Sequence, residues 1–376
     1  MDILAAAETI ARAQPRVGPL LEGLAASGKL PPSLVFAGPE GAGKELMAVK
    51  LAAALNCEGR GPKGSCGAGA RCGACSKIRT LEHPDFHLIY PVPHGELDAG
   101  LPLVLESRRE DFFARGEFGN RSRSVGIDLV RLVIEALSKH PFEGRRSIVA
   151  IFEAHLATVE AQNALLKLLE EPPASAAIVL VTEYPDRLLP TVRSRCHEVR
   201  FDPLAAGAIA GFLEEFYAVE KEEAKRLAAL AQGNLRRGIN LLEERFLGIW
   251  KDAAAVVGLV IDGKSKELIA EAEELAGYGE ARRRYRGYSR EDIAELLEEM
   301  TILFGLIIRN RDGRAGESEK GVLAEAIGAG RLAAAAARDL PGDIGKISSA
   351  IGSLRRNADM ELTLSHLFLD LTRAWY

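Results

Sequence analysis

The segment Gly38-Pro39-Glu40-Gly41-Ala42-Gly43-Lys44-Glu45 constrains this chain more than any other. It follows a short apolar run, Ser33-Leu34-Val35-Phe36-Ala37, and opens the helix-forming stretch KELMAVKLAAALN over 44–56. Strand, glycine-rich turn and helix form the setting in which backbone N–H groups and a helix N-terminus surround phosphate oxygens. Gly38, Gly41 and Gly43 permit that close approach, and Lys44 adds a point charge for phosphates. Such a loop reads G-x-x-x-x-G-K-[ST], its last hydroxyl ligating Mg²⁺. Here the carboxylate of Glu45 stands in the hydroxyl's place. A second departure lies in Ile148-Val149-Ala150-Ile151-Phe152-Glu153-Ala154-His155, an apolar strand of the kind that ends in Asp-Glu at such sites. Phe152 occupies the position of the metal-binding Asp. Both losses strike the same ion, so the sequence predicts no seat for Mg²⁺ and little or no phosphoryl transfer. Binding of ATP or ADP without turnover stays open, because the loop itself survives. The competing reading makes the loop a purely structural turn and Glu153 a solvated or capping carboxylate.

The surrounding pattern predicts an α/β fold followed by an all-α region. Short apolar runs at 33–37, 87–90, 147–152, 177–182 and 197–201 alternate with helical stretches, as expected for a parallel sheet covered on both faces. The helix expected over 126–139 carries Ile127, Val130, Ile134 and Leu137 at helical spacing. After Pro203 the strands stop. We expect an α/β domain over 1–203, a small helical unit over 204–245 and a longer helical domain over 246–376. The clearest stripe of the last is Ile293, Leu296, Leu297, Met300, Leu303, Phe304 and Ile307. Residues 91–124, rich in Gly, Pro and charge, read as a surface insertion.

Cys57, Cys66, Cys72 and Cys75 give C-x8-C-x5-C-x2-C, four of the chain's five cysteines within 19 residues. Four thiolates make a closed tetrahedral Zn²⁺ site, and C-x-x-C supplies two ligands from one turn. The sequence therefore predicts a structural zinc module over 57–75. The alternative is a glycine-rich loop with reduced, unliganded thiols.

Hydrophobic residues make up 47% of the 376, charged residues 27% and aromatics 6%, an ordinary soluble composition that favours helix. A formal net charge of −5 argues against strong autonomous DNA binding, which relies on neutralising phosphates. No apolar run approaches the roughly 18 residues of a membrane span. The N-terminus lacks a basic segment before an apolar one, and cytoplasmic residence is the expectation. One local basic cluster, Arg282, Arg283, Arg284 and Arg286 with Tyr285 and Tyr288, has a composition suited to nucleic acid. Its acidic neighbours Glu280, Glu291 and Asp292 point instead to an exposed loop or a subunit contact.

Taken together, His83-Pro84-Asp85, the segment NALLKLLEEPP over 163–173, Leu188-Leu189-Pro190-Thr191-Val192-Arg193-Ser194-Arg195-Cys196 and the four-cysteine insertion resemble the bacterial clamp-loader AAA+ subunits of DNA polymerase III. The likeness covers about residues 1–245, with a weaker echo in NADMELTLSHLFLDL over 357–371. It implies an AAA+ P-loop sheet with a zinc-knuckle insertion, a small helical lid and a C-terminal helical collar. In that family the gamma/tau ATPases keep the P-loop hydroxyl and the Asp-Glu strand end, whereas the delta-prime branch has degenerate forms of both and retains Ser-Arg-Cys. Glu45 and Phe152 therefore resemble the delta-prime branch. What the resemblance implies is a rigid, non-hydrolysing stator in an open five-membered ring. Its Arg195 would act as an arginine finger on ATP held by a neighbouring gamma/tau subunit. Partners would be gamma/tau, delta, and, through the complex, the sliding clamp and primer-template DNA. Thr182 matches the sensor-1 place and Arg236, within Gly233-Asn234-Leu235-Arg236, the sensor-2 place. The chain departs from the family in the five residues between its second and third cysteines, and in the length of 91–124. Two other readings remain: an active gamma/tau-like ATPase, and a zinc-knuckle nucleic-acid-binding protein on a relic fold.

Overall fold

The computed structural model describes residues 1–59, 66, 72–114, 122–276, 288–335, 338–356 and 358–372. The chain forms two compact units, one of Met1–Ala224 with Ala231–Gly238, the other of Lys225–Leu230 with Ile239–Tyr376.

The first unit contains α1 (Ile3–Ala13), α2 (Val17–Ser27), β1 (Ser33–Ala37), α3 (Lys44–Asn56), α4 (Gly73–Arg79), β2 (Phe86–Ile89), β3 (Val92–Pro93), α5 (Leu97–Glu110), β4 (Arg123–Ser124), α6 (Ile127–Ser138), β5 (Ser147–Ile151), α7 (Val159–Glu170), β6 (Ala176–Thr182), α8 (Pro190–Arg193), β7 (His197–Arg200) and α9 (Ala206–Tyr217). Helices α10 (Lys221–Ala231) and α11 (Leu235–Asn240) follow across the division between units. Five strands form one parallel sheet in the order β2-β5-β6-β1-β7, with Val35 paired to Leu180 on one side of β1 and to Glu198 on the other. Every residue of β1, β5 and β6 is buried, which explains their unbroken apolar runs. β7 lies at an edge and buries only Val199. The parallel sheet flanked by helices agrees with the fold expected from the sequence.

Local signals set the helix starts. Asp2 Oδ1 accepts the N–H groups of Leu4 and Ala5 (3.0 and 3.2 Å) and opens α1, and Thr158 Oγ1 accepts that of Ala161 (3.2 Å) and opens α7. In α6 the buried face is Leu129, Val130, Val133 and Leu137. Ile134, expected on that face, is 38% exposed. The stretch IDLVRLVIEALS is so rich in apolar residues that spacing alone does not choose its stripe.

The family-like Asp85 anchors the turn that leads into β5. Its carboxylate accepts N–H groups from Phe142 (2.6 Å), Glu143 (3.0 Å) and Gly144 (2.7 Å). Asn56 supports the same turn, accepting from Arg145 and Arg146 at 2.9 Å each.

The second unit is all helical: α12 (Glu244–Ile261), α13 (Ser265–Leu275), α14 (Arg290–Arg311), α15 (Glu317–Ile327), α16 (Ala329–Ala335), α17 (Leu340–Arg355) and α18 (Met360–Thr372). A capping box between Ser289 and Asp292 starts α14, whose stripe Ile293, Leu296, Leu297, Met300, Leu303, Phe304 and Ile307 is buried throughout, as the sequence predicts. α14 packs on α12 and α17. Buried Arg338 joins three elements, donating to Asp343 Oδ2 (2.5 Å), to the carbonyl of Val260 (3.1 Å) and to that of Leu371. Among the described residues, no helix is long and apolar enough to cross a membrane.

Asp85 generates a pH-dependent prediction. Burial would raise its pKa, but the three backbone donors from Glu143, Gly144 and Phe142 outweigh this and hold it below the ordinary Asp value of 3.8. Its contribution is complete above that unfolded-state value and is lost as pH falls through the lower folded-state one. Asp85→Asn should cost about 2–3 kcal/mol at neutral pH. In denaturant titrations the gap between wild type and variant should narrow as pH drops below about 4.

Candidate functional site

The glycine-rich loop leaves β1 at the carboxyl edge of the sheet, the edge at which open α/β folds bind ligands. Its backbone takes shapes that side chains disfavour. Gly41 and Gly43 have φ of 67° and 86°. A Cβ on Gly41 would lie 1.9 Å from Asn234 Oδ1, and one on Gly43 2.2 Å from Ile10 Cγ2. The loop is thus bounded by α1 and by residues 233–236, where Leu235 N donates to Gly41 O at 3.0 Å. Gly38 donates its N–H to Thr182 O at 3.3 Å.

Lys44 is buried and turned into its own loop. Its Nζ donates to the carbonyls of Gly38 (2.8 Å) and Pro39 (2.5 Å). Burial lowers its pKa, against the opposing pull of Glu183, Glu45 and Glu40. Glu183, next to Thr182, is pushed up to about 7 by burial and by Glu40.

Where a metal ligand belongs, Glu45 forms an ion pair with Arg108 Nη1 at 2.7 Å. Arg236 Nη2 reaches the same carboxylate oxygen at 3.5 Å. Burial alone would raise the Glu45 pKa; Arg108, then Arg236, outweigh it, and the carboxyl titrates below the ordinary Glu range. The Arg108 guanidinium lies 4.7 Å from the centroid of the Tyr90 ring, a cation–π distance. Tyr90 in turn stacks on Phe152, with centroids 4.7 Å apart and planes 20° from parallel. So the two positions that should hold Mg²⁺ carry an aromatic pair and a neutralised carboxylate. Glu153 has φ of 47° and lies 3.5 Å from Arg123 Nη1.

Thr182 is buried at the end of β6. Its hydroxyl accepts the N–H of Tyr184 at 3.1 Å and meets His155 Nδ1 at 3.3 Å. Burial, then Arg187 and Lys44, brings His155 down to about 4, so the imidazole is neutral. Arg236 is buried and also donates to Phe113 O at 3.2 Å. Arg195, before edge strand β7, is one-third exposed and donates through Nε to Glu170 Oε1 (2.7 Å) and through Nη1 to Thr191 O (2.9 Å). The cluster Arg282–Arg286 lies outside the described residues.

The ligand atoms of Cys57, Cys66, Cys72 and Cys75 all lie within 4.8 Å of one another and could hold a metal ion. Cys57 Sγ is 3.3 Å from Cys66 Sγ and 3.9 Å from Cys72 Sγ. A tetrahedron with metal–sulfur bonds of about 2.3 Å has edges of about 3.8 Å, so these thiols fit such an ion. Cys72 caps α4, accepting the N–H of Cys75 at 3.4 Å. Burial would raise its thiol, but the backbone donors of Cys75 and Glu58 and the neighbouring thiols bring it down to about 6.

The structure thus brings together Gly38, Gly41, Gly43, Lys44, Thr182 and Arg236 around one loop, and sets Arg195 and the cysteines elsewhere. Sequence reasoning missed Arg108, Tyr90 and Glu183. An acid in place of a hydroxyl does signal that a counter-charge is needed, but not which residue supplies it.

A parallel sheet in this strand order, with a P-loop after β1 and an arginine from a following helical segment folded back over it, defines an AAA+ nucleotide-binding fold. The chain belongs to the family described as DNA polymerase III, delta subunit, whose profile matches residues 13–205. It is 31% identical over 198 residues to DNA polymerase III subunit delta' of Pseudomonas aeruginosa, covering 52% of this chain and 51% of that protein. It is 27% identical over 221 residues to the gamma/tau subunit of Mycoplasma genitalium, covering 57% of this chain and 32% of that protein. The chain therefore spans about half the length of the first relative and about a third of the second. A Thermotoga maritima DNA polymerase III gamma subunit-related protein superposes with a TM-score of 0.39 at 16% identity, over 94% of this chain and 99% of that one. The resemblance to the delta-prime branch read from the residues is borne out by the family and by the relatives it matches.

Proposed function

We propose that the chain acts as a non-hydrolysing, delta-prime-type subunit of a bacterial clamp loader. In this role it supports the loading of sliding clamps on primer-template DNA and lends Arg195 to ATP on an adjacent gamma/tau subunit, with delta as a further partner. The observation that carries the reading is the contrast between two sites. The chain's own metal position is filled by Glu45, Arg108, Tyr90 and Phe152. Arg195, by contrast, stays one-third exposed, held by the half-exposed Glu170. A guanidinium supplied in trans gives a planar, permanent positive charge to the transferring phosphoryl group. Residues 1–203 would form the AAA+ domain, 204–245 its lid and 246–376 the collar. A gamma/tau-like ATPase is the second reading, favoured by the gamma/tau relative and by retained Lys44. Its mark would be ATP turnover by the purified chain, lost on Lys44→Ala. The −5 net charge weighs against an autonomous nucleic-acid-binding protein.

Zn²⁺ held by Cys57, Cys66, Cys72 and Cys75 would be structural, tying the end of α3 to the start of α4. All four donors are protein thiolates, and such a closed set leaves no position for substrate.

Arg195→Ala should leave assembly intact in a reconstituted loader. It should slow the ATP site that it faces by roughly 10³–10⁵-fold. Single-turnover hydrolysis would read this as the loss of one site's share of the burst; an unchanged burst rejects the finger. Elemental analysis of the purified chain should find about one zinc per chain, and Cys72→Ser should lower both zinc content and melting temperature. A metal-free chain with an unchanged melt rejects the knuckle.

A further inference from the structure

A cavity of about 210 Å³ opens in the first unit between the start of α1, the end of α5 and the end of α9. None of residues 38–45 lines it. Three aromatic rings do, Phe112, Phe216 and Tyr217, together with three exposed charged residues of the stretch 91–124, Arg109, Glu110 and Asp111. We propose that this cavity takes one cationic side chain, a lysine or an arginine, presented by a partner protein: its alkyl stem lies along the rings and its charge meets Glu110 and Asp111. The inference goes beyond the role proposed above and rests neither on the phosphate loop nor on Arg195.

Three observations carry it. First, the aromatic walls are fixed before any ligand arrives. Phe212 is wholly buried, and its ring centre lies 4.6 Å from that of Phe216 and 6.4 Å from that of Tyr217. Phe113 meets Phe212 edge-on at 6.2 Å, and Phe112 meets Phe113 edge-on at 5.5 Å. One series of ring contacts thus runs from Phe112 to Tyr217. Aromatic faces attract cations through their quadrupoles, and a wall that is already ordered loses little entropy on binding.

Second, the charges on the lining favour a cation. Arg109 is tied to the chain, donating to the carbonyl of Leu81 at 3.4 Å. Asp111 Oδ1 accepts the N–H of Phe113 at 3.0 Å. Glu110 has no hydrogen-bond or ion-pair partner among the described residues. It stands in the last turn of α5, where the helix dipole opposes a negative charge, so the helix itself gains nothing from it. The Asp111 charge is felt inside the cavity: burial first, then this carboxylate, pushes the Tyr217 hydroxyl up to about 12, and the phenol stays neutral.

Third, the size selects a side chain. Cavities that enclose a drug-sized ligand run to roughly 300–1,000 Å³, and this one is smaller. Lysine and arginine carry an apolar stem that can cover the rings while the charged head stays at the exposed carboxylates. An aliphatic side chain would leave both acids unused.

The test follows the methyl signal of Ile3, which lines the same cavity, by NMR of the full chain labelled at its isoleucine methyl groups. The probes are Nα-acetyl-lysine methylamide and its uncharged counterpart Nα-acetyl-norleucine methylamide. The capped lysine should move the signal saturably, with half-saturation at about millimolar concentration. The norleucine probe should bind at least about fivefold more weakly, and about 0.5 M salt should weaken the lysine probe but not the norleucine one. Glu110→Gln, at an exposed position, should weaken lysine binding at least about threefold with an unchanged melt. No saturable shift, equal binding of the two probes, or a folded Glu110→Gln chain that binds lysine as wild type does overturns the proposal. A misfolded variant leaves the comparison of probes on wild type to decide. n-Butylamine has the same stem and charge without a backbone; if it binds much more tightly than capped lysine, the cavity excludes a protein chain and the proposal fails. ATP turnover by the purified chain would sink the non-hydrolysing reading and leave this one standing, so the two failures are told apart.

Discussion

A carboxylate at the first turn of a helix is ordinary, since the helix N-terminus favours negative charge. A largely buried carboxylate at the mouth of a phosphate loop is not, and Glu45 is kept there by two guanidiniums. Much of the first unit's local structure follows from that neutralisation. Arg108 reaches inward, so the end of α5 lies against Tyr90 and against Phe112 in the turn that follows. Arg236 must reach back, so residues 233–236 lie over the loop, close enough that Gly41 tolerates no side chain. One substitution in the phosphate loop is thereby linked to a helix inserted 63 residues later and to an arginine 191 residues later.

How much of this was legible in the sequence depends on whether the signal is local. The strand, the glycines and Lys44 announce themselves within twelve consecutive residues, and the structure places them as a loop between β1 and α3. The α14 stripe is equally local: seven apolar positions at three- and four-residue steps, all buried. The four cysteines needed only their spacing, and their thiols do converge. α6 fell between the cases. Its helix was plain, but with eight apolar residues in twelve the true face could not be separated from exposed Leu132 and Ile134.

What could not be read was long-range charge pairing. Nothing in the Gly-, Pro- and charge-rich composition of 91–124 distinguishes Arg108 from Arg109 beside it, yet the first is buried on Glu45 and the second reaches the carbonyl of Leu81. Periodicity reports which face of an element is covered; it says nothing about which distant acid a buried base will meet. The same holds for Tyr90. It ends the run 87–90 expected as a strand, and only the assembled sheet sets it against Phe152, which follows the neighbouring β5, as the floor beneath a cation.

The self-satisfied site bears on the proposed role in a specific way. A ligand can shift a conformational equilibrium only through a difference in its affinity for the two states. In the first unit the lysine, the carboxylate and the sensor arginine of the loop already have partners within the chain. On the non-hydrolysing role proposed above, the loop would keep that arrangement while a neighbour's ATP is spent. That constancy suits a subunit whose contribution is to hold one guanidinium in a fixed place for a neighbour's triphosphate. Arg195 fits this use because its present partner, Glu170, is half exposed. Such a pair is held weakly enough to be exchanged for a phosphate, whereas the buried pair of Arg108 with Glu45 is not.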